Sequence, residues 1–463
     1  MKLELTKNSS RRAKTIFMLA LPAMLEMSLN TLVGMADTIM ISRFVGKEAL
    51  AAVGFANQII FTLIFVFSAF NAGATAMVSR SYGEGNKKRM NKIMNENLTL
   101  NLILGIIVTL FTFFFADLIL NVYDITAVVK AFGTTYLKYI AVGQVFMFIS
   151  FASAASLRGA GDTKTPMYIT GIANILNIIG NYVLITGFWI FPELGIAGAA
   201  ISTAFARFIA AALYLGLFAS NRGILKLHPS WMRISSKIFK PLINLSYAAG
   251  IEQLFMQVAF FVNGIFISKL DTTAEASFRI LLNIESLSFM PAIGIAIAAT
   301  TIVGKHLGED KAEESLKSGL TAAVMGALLG SGLALIYLIF PVFALKIFTT
   351  DAQVINYSAP VLRIVALNQA FLAFVIIMVG ALRGAGDTKG AMYITIIRLW
   401  LIFIPLSYYL IVVSDYGVAG VWIAEIISFL IIALIVLRRF LKMEWAEIEF
   451  FEENELSDTA EEY

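Results

Sequence analysis

The chain has no cysteine, which excludes disulfides, thiolate nucleophiles and thiolate metal ligands but assigns no compartment. It has only two histidines, His228 and His306, in separate polar segments. Two isolated imidazoles make neither a metal centre nor a proton relay. Charge is scarce as well: Asp, Glu, Lys and Arg supply 14% of the residues, hydrophobic residues 59%, and mean hydropathy is +0.81. An ordinary soluble domain carries about 25% charged residues. This chain therefore holds more apolar surface than one water-bounded core can bury, and its solvent is a lipid bilayer. Sustained apolar/polar alternation, which the strands of a membrane barrel require, is missing too. Helices are then what satisfies the backbone in lipid. The net charge of +4 and pI near 9.0 reflect loop composition and not a nucleic-acid partner.

What is present is a repeat. Leu157-Arg158-Gly159-Ala160-Gly161-Asp162-Thr163-Lys164 returns letter for letter at Leu382 to Lys389, and Met167 to Thr170 returns at Met392 to Thr395. Nearby, Gln144 falls on Gln369 and Glu26 on Glu252. The unit repeated is half the protein, far longer than a solenoid period.

Apolar runs long enough to cross ~30 Å of hydrocarbon lie at about 15 to 42, 49 to 79, 93 to 117, 132 to 157, 166 to 188 and 195 to 218. A second set lies at about 240 to 268, 280 to 304, 318 to 345, 356 to 382, 391 to 413 and 417 to 437. The expected fold is all-α and integral to the membrane, with twelve transmembrane helices, six per repeat. An even number of spans makes the repeats parallel, related by a pseudo-twofold axis along the membrane normal. Lys and Arg concentrate before helix 1, after helix 2 and between the halves, which predicts cytoplasmic termini. No small-residue cleavage site follows the basic start, so it reads as uncleaved helix 1. The expected organisation is a cytoplasmic segment at 1–14, an N-lobe at 15–218, a linker at 219–239, a C-lobe at 240–440 and an acidic cytoplasmic tail at 441–463.

The doubled LRGAGDTK, Leu21-Pro22 and Met35-Ala36-Asp37-Thr38 in helix 1, and Asn283 to Phe289 followed by Ala299 to Gly304 together resemble the MATE (multidrug and toxic compound extrusion) transporters over about residues 12 to 440. The resemblance implies two six-helix lobes around a V-shaped cavity. It also implies export of small organic cations or drugs across the cytoplasmic membrane in exchange for Na⁺ or H⁺, by a monomer without a cofactor. Two other functions compete. A flippase for lipid-linked oligosaccharides shares a two-lobe fold but needs Arg and Lys around its pyrophosphate, whereas here the intramembrane acids outnumber Arg207 and Arg398. A membrane enzyme needs His, Cys or clustered loop acids, which this chain lacks.

Ionisable side chains within the bilayer are functional candidates by default. Glu26 and Asp37 are separated by three helical turns, about 20° out of register and roughly 16 Å apart, so one face of helix 1 carries both. Similar transporters hold the coupling ion at this aspartate, which places a candidate Na⁺ or H⁺ site at Asp37, with Asn177, Asn181 and Glu26 as further ligands. Pro22 stands where the family bends helix 1, and its repeat mate is Ala248. In the second half, Glu252 and Glu285 reach similar depths, so they are expected to share a proton or substrate site if helices 7 and 8 are neighbours. Glu425, without a repeat mate, reads as structural. Met256 and Leu372 stand where sodium-coupled relatives carry acids, so that C-lobe ion site is not reproduced. The RGAGDTK glycines follow no strand and read as a helix-ending turn whose Asp caps the next helix.

Overall fold

The computed structural model describes residues 2–68, 70–220 and 223–450. Among these the chain is helical nearly throughout, with no strand. The helices are α1 (Lys2–Phe44), α2 (Lys47–Ser68), α3 (Phe70–Gly83), α4 (Lys87–Leu120), α5 (Ala127–Gly159), α6 (Lys164–Thr186) and α7 (Gly195–Ala219). The second half has α8 (Ser236–Ile267), α9 (Thr272–Gly308), α10 (Ala312–Ile339), the short α11 (Pro341–Lys346), α12 (Ala352–Gly384), α13 (Thr388–Ile396), α14 (Ile404–Tyr408) and α15 (Ala419–Leu441). Eleven membrane-length apolar helices occur among the described residues. The remaining crossing of the twelve, expected at 49–79, falls on α2 and α3, either side of residue 69, which lies outside the described residues.

The chain forms two compact units, and they do not divide at the linker. One comprises Leu25–Ser246; the other joins the residues up to Met24 to Tyr247–Phe450. Each division falls inside a helix. The start of α1 belongs with the second repeat, where Ile16 and Ala20 share a core with Ile295, Ala298, Ala299 and Val303. Gly294 makes room for it, since a Cβ there would lie 2.5 Å from the Met24 nitrogen. The start of α8 belongs with the first repeat: Ser246 donates to the Phe70 carbonyl at 2.7 Å, and Gly73 leaves space for Ser246.

Pro22 stands two residues before the change of partner in α1. The mate of Pro22 is Ala248, but the second repeat carries a proline elsewhere in the same helix. Because α8 begins at Ser236, Pro241 lies inside it, five residues before Ser246. A proline within a helix cannot donate to residue i−4, so both helices lose a backbone bond close to where they change partner.

The repeated turn has the anticipated form. Gly161 and Gly386 take φ of +84° and +90°, a conformation that favours glycine. Asp162 accepts from the backbone of Lys164 and Thr165 at 3.1 and 3.0 Å, and Asp387 from Gly390 at 3.0 Å. In both units the helix ahead of this turn runs against its neighbour at backbone contact. Thr75 Oγ1 donates to the Ala155 carbonyl at 3.1 Å and Thr300 Oγ1 to Gly380 at 2.7 Å. A Cβ on Gly159 would meet the Thr75 carbonyl at 2.8 Å, and one on Gly384 would collide with that of Thr300. Gly384→Ala is accordingly expected to cost about 1–3 kcal/mol by overpacking, more than Thr300→Val, which removes one hydrogen bond worth about 1 kcal/mol. The order of melting temperatures of the detergent-solubilised variants checks this.

Part of the segment expected as an acidic tail packs against the fold. Trp445 and Phe450 are apolar enough to fold back: Trp445 is buried, stacks on Phe440 at 4.8 Å and donates to its carbonyl, while Phe450 covers Gly386. The acidic remainder, 451–463, lies outside the described residues. The linker is held as well. Asn95 of α4 clamps it by donating to the Lys226 carbonyl at 3.0 Å and accepting from the His228 nitrogen at 2.9 Å.

Candidate functional site

The repeat builds one constellation twice. Arg158, from the first LRGAGDTK, donates to Glu26 Oε1 at 2.6 Å, and Thr170 Oγ1 donates to the same oxygen at 3.2 Å. Arg383, from the second, donates to Glu252 Oε2 at 2.7 Å, and Thr395 Oγ1 to Oε1 at 2.7 Å. Both glutamates are buried. A buried carboxylate needs a counter-charge and hydrogen bonds, and here each obtains both from the repeated motif. Glu26 follows the division between units by two residues. The pair therefore fixes α1 to its own repeat just beyond the change of partner, and Glu252 does likewise on α8. Reasoning from sequence missed Arg158, Arg383, Thr170 and Thr395 as partners. The signal was there, since all four lie in the segments repeated without change.

Further along α1, Asn181 Nδ2 of α6 donates to Asp37 Oδ1 at 2.6 Å. Asn177, one turn before Asn181, donates through Nδ2 to Thr203 Oγ1 at 3.0 Å. With both amide nitrogens committed, Asn177 Oδ1 and Asn181 Oδ1 are buried and receive no hydrogen bond. Tyr136, 3.5 Å from Asn57 Oδ1, and Arg207 complete the charged and polar surroundings of Asp37. One carboxylate and two idle amide oxygens are hard ligands suited to a small cation. Of the four residues expected at this site, Asp37 and Asn181 are in contact, and Asn177 lies one turn from Asn181 on α6. Glu26 is held separately by Arg158.

The equivalent place in the other unit is neutral: Ser407 Oγ donates to Asn263 Oδ1 at 2.7 Å. Asn263 is the mate of Asp37 at an offset of 226, as Ser407 is of Asn181, whereas Thr170 and Thr395 differ by 225. The extra residue coincides with a π-helical stretch, Ile397–Phe403, inserted between α13 and α14. A single-residue insertion is how a π-bulge interrupts an α-helix, often at a functional site.

Glu252 and Glu285, expected to share a site if helices 7 and 8 are neighbours, have no hydrogen-bond partner in common. Glu285 instead accepts from Trp422 Nε1 at 3.2 Å and from Gln369 Nε2 at 3.5 Å. Its charged neighbours are Glu425 and Arg398.

The model of the MatE family matches the chain twice, over residues 22–183 and 248–409. The chain is 34% identical to a probable multidrug resistance protein NorM of Thermotoga maritima, over 93% of each. It is 26% identical to the multidrug resistance protein MdtK of Yersinia pseudotuberculosis, over 94% of this chain and 96% of that one. Among solved structures, the outward-facing conformation of a multidrug resistance MATE family transporter of the MOP superfamily superposes with a TM-score of 0.88. It shares 22% identity and covers 94% of this chain and 97% of that one. A MOP superfamily transporter of Pyrococcus furiosus, at 22% identity, covers 95% and 97% with a TM-score of 0.87. The two matches of the family model reproduce the internal repeat, and the likeness to solved transporters extends over nearly the whole length, so the chain belongs to the MatE family of multi-pass membrane transporters.

Proposed function

We propose that this chain is a secondary antiporter of the cytoplasmic membrane, with both termini on the cytoplasmic side. In this reading it exports amphipathic, mostly cationic organic compounds in exchange for Na⁺ or H⁺ by alternating access, as a monomer. Asp37 carries the coupling ion, with Asn177 and Asn181 as its companions. The observation that supports this most is the Asp37–Asn181 contact beside two buried amide oxygens that receive no hydrogen bond. A Na⁺ would take those oxygens together with the carboxylate. A proton would sit on Asp37 and leave Asn181 free to turn its oxygen toward the new O–H donor. Either event removes the net charge from α1 above Pro22, and the bend at Pro22 converts that change into a new course of the helix. Glu252 acts through its ion pair with Arg383, holding α8 in place.

The decisive measurement is efflux of a fluorescent organic cation from proteoliposomes under separately imposed Na⁺ and pH gradients. Acceleration by one gradient, opposite in direction to the substrate, supports antiport and names the ion. Transport of a lipid-linked oligosaccharide without any gradient would favour the flippase. Pro22→Ala, restoring the missing backbone donor, is expected to reduce turnover while substrate affinity stays within about twofold, a difference below 1 kcal/mol. A pure loss of affinity would place Pro22 in substrate binding instead.

A further inference from the structure

Asp37 shares its surroundings with a cation of the protein's own. Arg207 of α7 has Asp37 of α1 and Tyr136 of α5 as its titratable neighbours, while α6 contributes only the amides of Asn177 and Asn181. A Cβ on Gly143 would lie 2.7 Å from Ala204 Cα and 3.4 Å from Arg207 Cδ. The backbones of α5 and α7 therefore touch here, and the arginine stem runs along the glycine. The far end of the side chain is unsettled. Nη1 is buried without a hydrogen bond, and Arg207 makes no ion pair among the described residues. Neither does Asp37, which is held by the Asn181 amide.

Two observations tie this cation to that acid. First, the repeat drops both together. Gly195-Ile196-Ala197-Gly198 matches Gly417-Val418-Ala419-Gly420, which makes Phe429 the mate of Arg207, and Asn263 is the mate of Asp37. Tyr136, aligned through Gln144 and Gln369, falls on Val361. Phe429 and Val361 lie in apolar cores. The guanidinium that stacks on Phe429, 4.1 Å from its centroid, is that of Arg398; it comes from the π-helical stretch and answers other acids, Glu425 first. The fold therefore requires neither Asp37 nor Arg207, and where the acid is absent the arginine is absent too. Second, the site holds an idle donor and idle acceptors at once: Arg207 Nη1 on one side, Asn177 Oδ1 and Asn181 Oδ1 on the other. Buried polar groups seldom stay unmade, and groups that exchange partners during a cycle are the ones caught without them.

We propose that Arg207 is a tethered counter-cation of the coupling site, which answers the charge of Asp37 while no ion is bound and gives way when one arrives. The inference rests on the reading of Asp37 as the coupling acid. An incoming cation must then displace a resident one, so Arg207 sets how much coupling ion the transporter needs and keeps that ion from binding too tightly to leave. The displaced guanidinium turns to the Tyr136 oxygen, which can accept because its own proton is directed at Asn57 Oδ1.

The test uses full-length protein in detergent and Na⁺ as the probe, titrated against K⁺ at constant ionic strength with melting temperature as readout. An ion that binds only the folded state raises it saturably. In Arg207→Met the Na⁺ midpoint should fall at least about tenfold below the parent's, the scale on which a nearby unit charge acts at intermediate dielectric; where the parent gives no response, one should appear. Arg207→Lys keeps the charge and should behave as the parent does. Asp37→Asn/Arg207→Met should give no response. The proposal is overturned if Arg207→Met shows no response or a midpoint no lower than the parent's, if the response survives Asp37→Asn, or if Arg207→Lys responds as Arg207→Met does. Should Arg207→Met fail to fold, yield decides: Asp37→Asn/Arg207→Met, which strands no charge, must then be recovered, and its loss as well overturns the proposal. Failure of the Asp37 reading itself would appear elsewhere, as gradient-driven efflux persisting in Asp37→Asn.

Discussion

Asp37→Asn will abolish gradient-driven efflux and leave the protein folded in the membrane. The substitution keeps an oxygen where Asn181 Nδ2 donates at 2.6 Å, so the link between α1 and α6 survives. What it removes is the charge that a coupling ion must neutralise. The chain already contains the neutral version of this contact, Asn263 with Ser407 at 2.7 Å, which shows that a pair of neutral groups folds well in that setting. Efflux from proteoliposomes under the coupling gradient should fall to the level of empty vesicles, with yield and melting temperature close to those of the parent. Undiminished transport at normal yield would move the coupling role away from α1.

The largest effect on stability should come from breaking the Glu26–Arg158 pair. Their side chains retain 4% and 16% exposure at a separation of 2.6 Å. Removing one partner of a buried pair strands the other charge, at a cost of about 3–5 kcal/mol. Arg158→Met should therefore lower the melting temperature sharply. Adding Glu26→Gln to it should recover much of the loss, since no charge is then left without a partner. Recovery in the double variant is the diagnostic result, because contacting residues alone show such non-additivity. Two independent losses that simply add would mean that each side chain stabilises the fold separately. Glu252 and Arg383, with 5% and 25% exposure, should show the same pattern with smaller amplitude, because the more exposed arginine is better screened.

Much of this architecture was legible in the residues, for reasons that also mark where reading stopped. Long apolar runs and an eight-residue repeat are one-dimensional signals, so the helices, the doubling and the turn at Asp162 and Asp387 could be read directly. Asp37 and Asn181 were matched to a known pattern, and the structure places them in contact. Glu252 and Glu285 were paired because helical rise puts them at one depth. Depth, however, says nothing about azimuth, and the two carboxylates face different partners: Arg383 in one case, Trp422 and Gln369 in the other. Arg158 escaped because a basic residue at a helix end is expected to seek solvent; only the tertiary contact shows it turned inward to Glu26. Pro241 escaped because apolar periodicity fades over the first turn of α8, where Ser236 and Lys237 start the helix.

The change of partner inside α1 bears on how the chain is made. The segment up to Met24 leaves the ribosome well before the rest of its unit, yet the core that receives Ile16 and Ala20 is built from α9, α10, α12, α13 and α15. At a synthesis rate of ~5–20 residues per second, more than 220 intervening residues, from Met24 to Tyr247, impose a wait on the order of 10–45 s. Through that interval Leu25–Ser246 can assemble while the leading half-helix has no native surface to meet. Completion of the other unit is then a late, long-range event that joins the segment up to Met24 to Tyr247–Phe450.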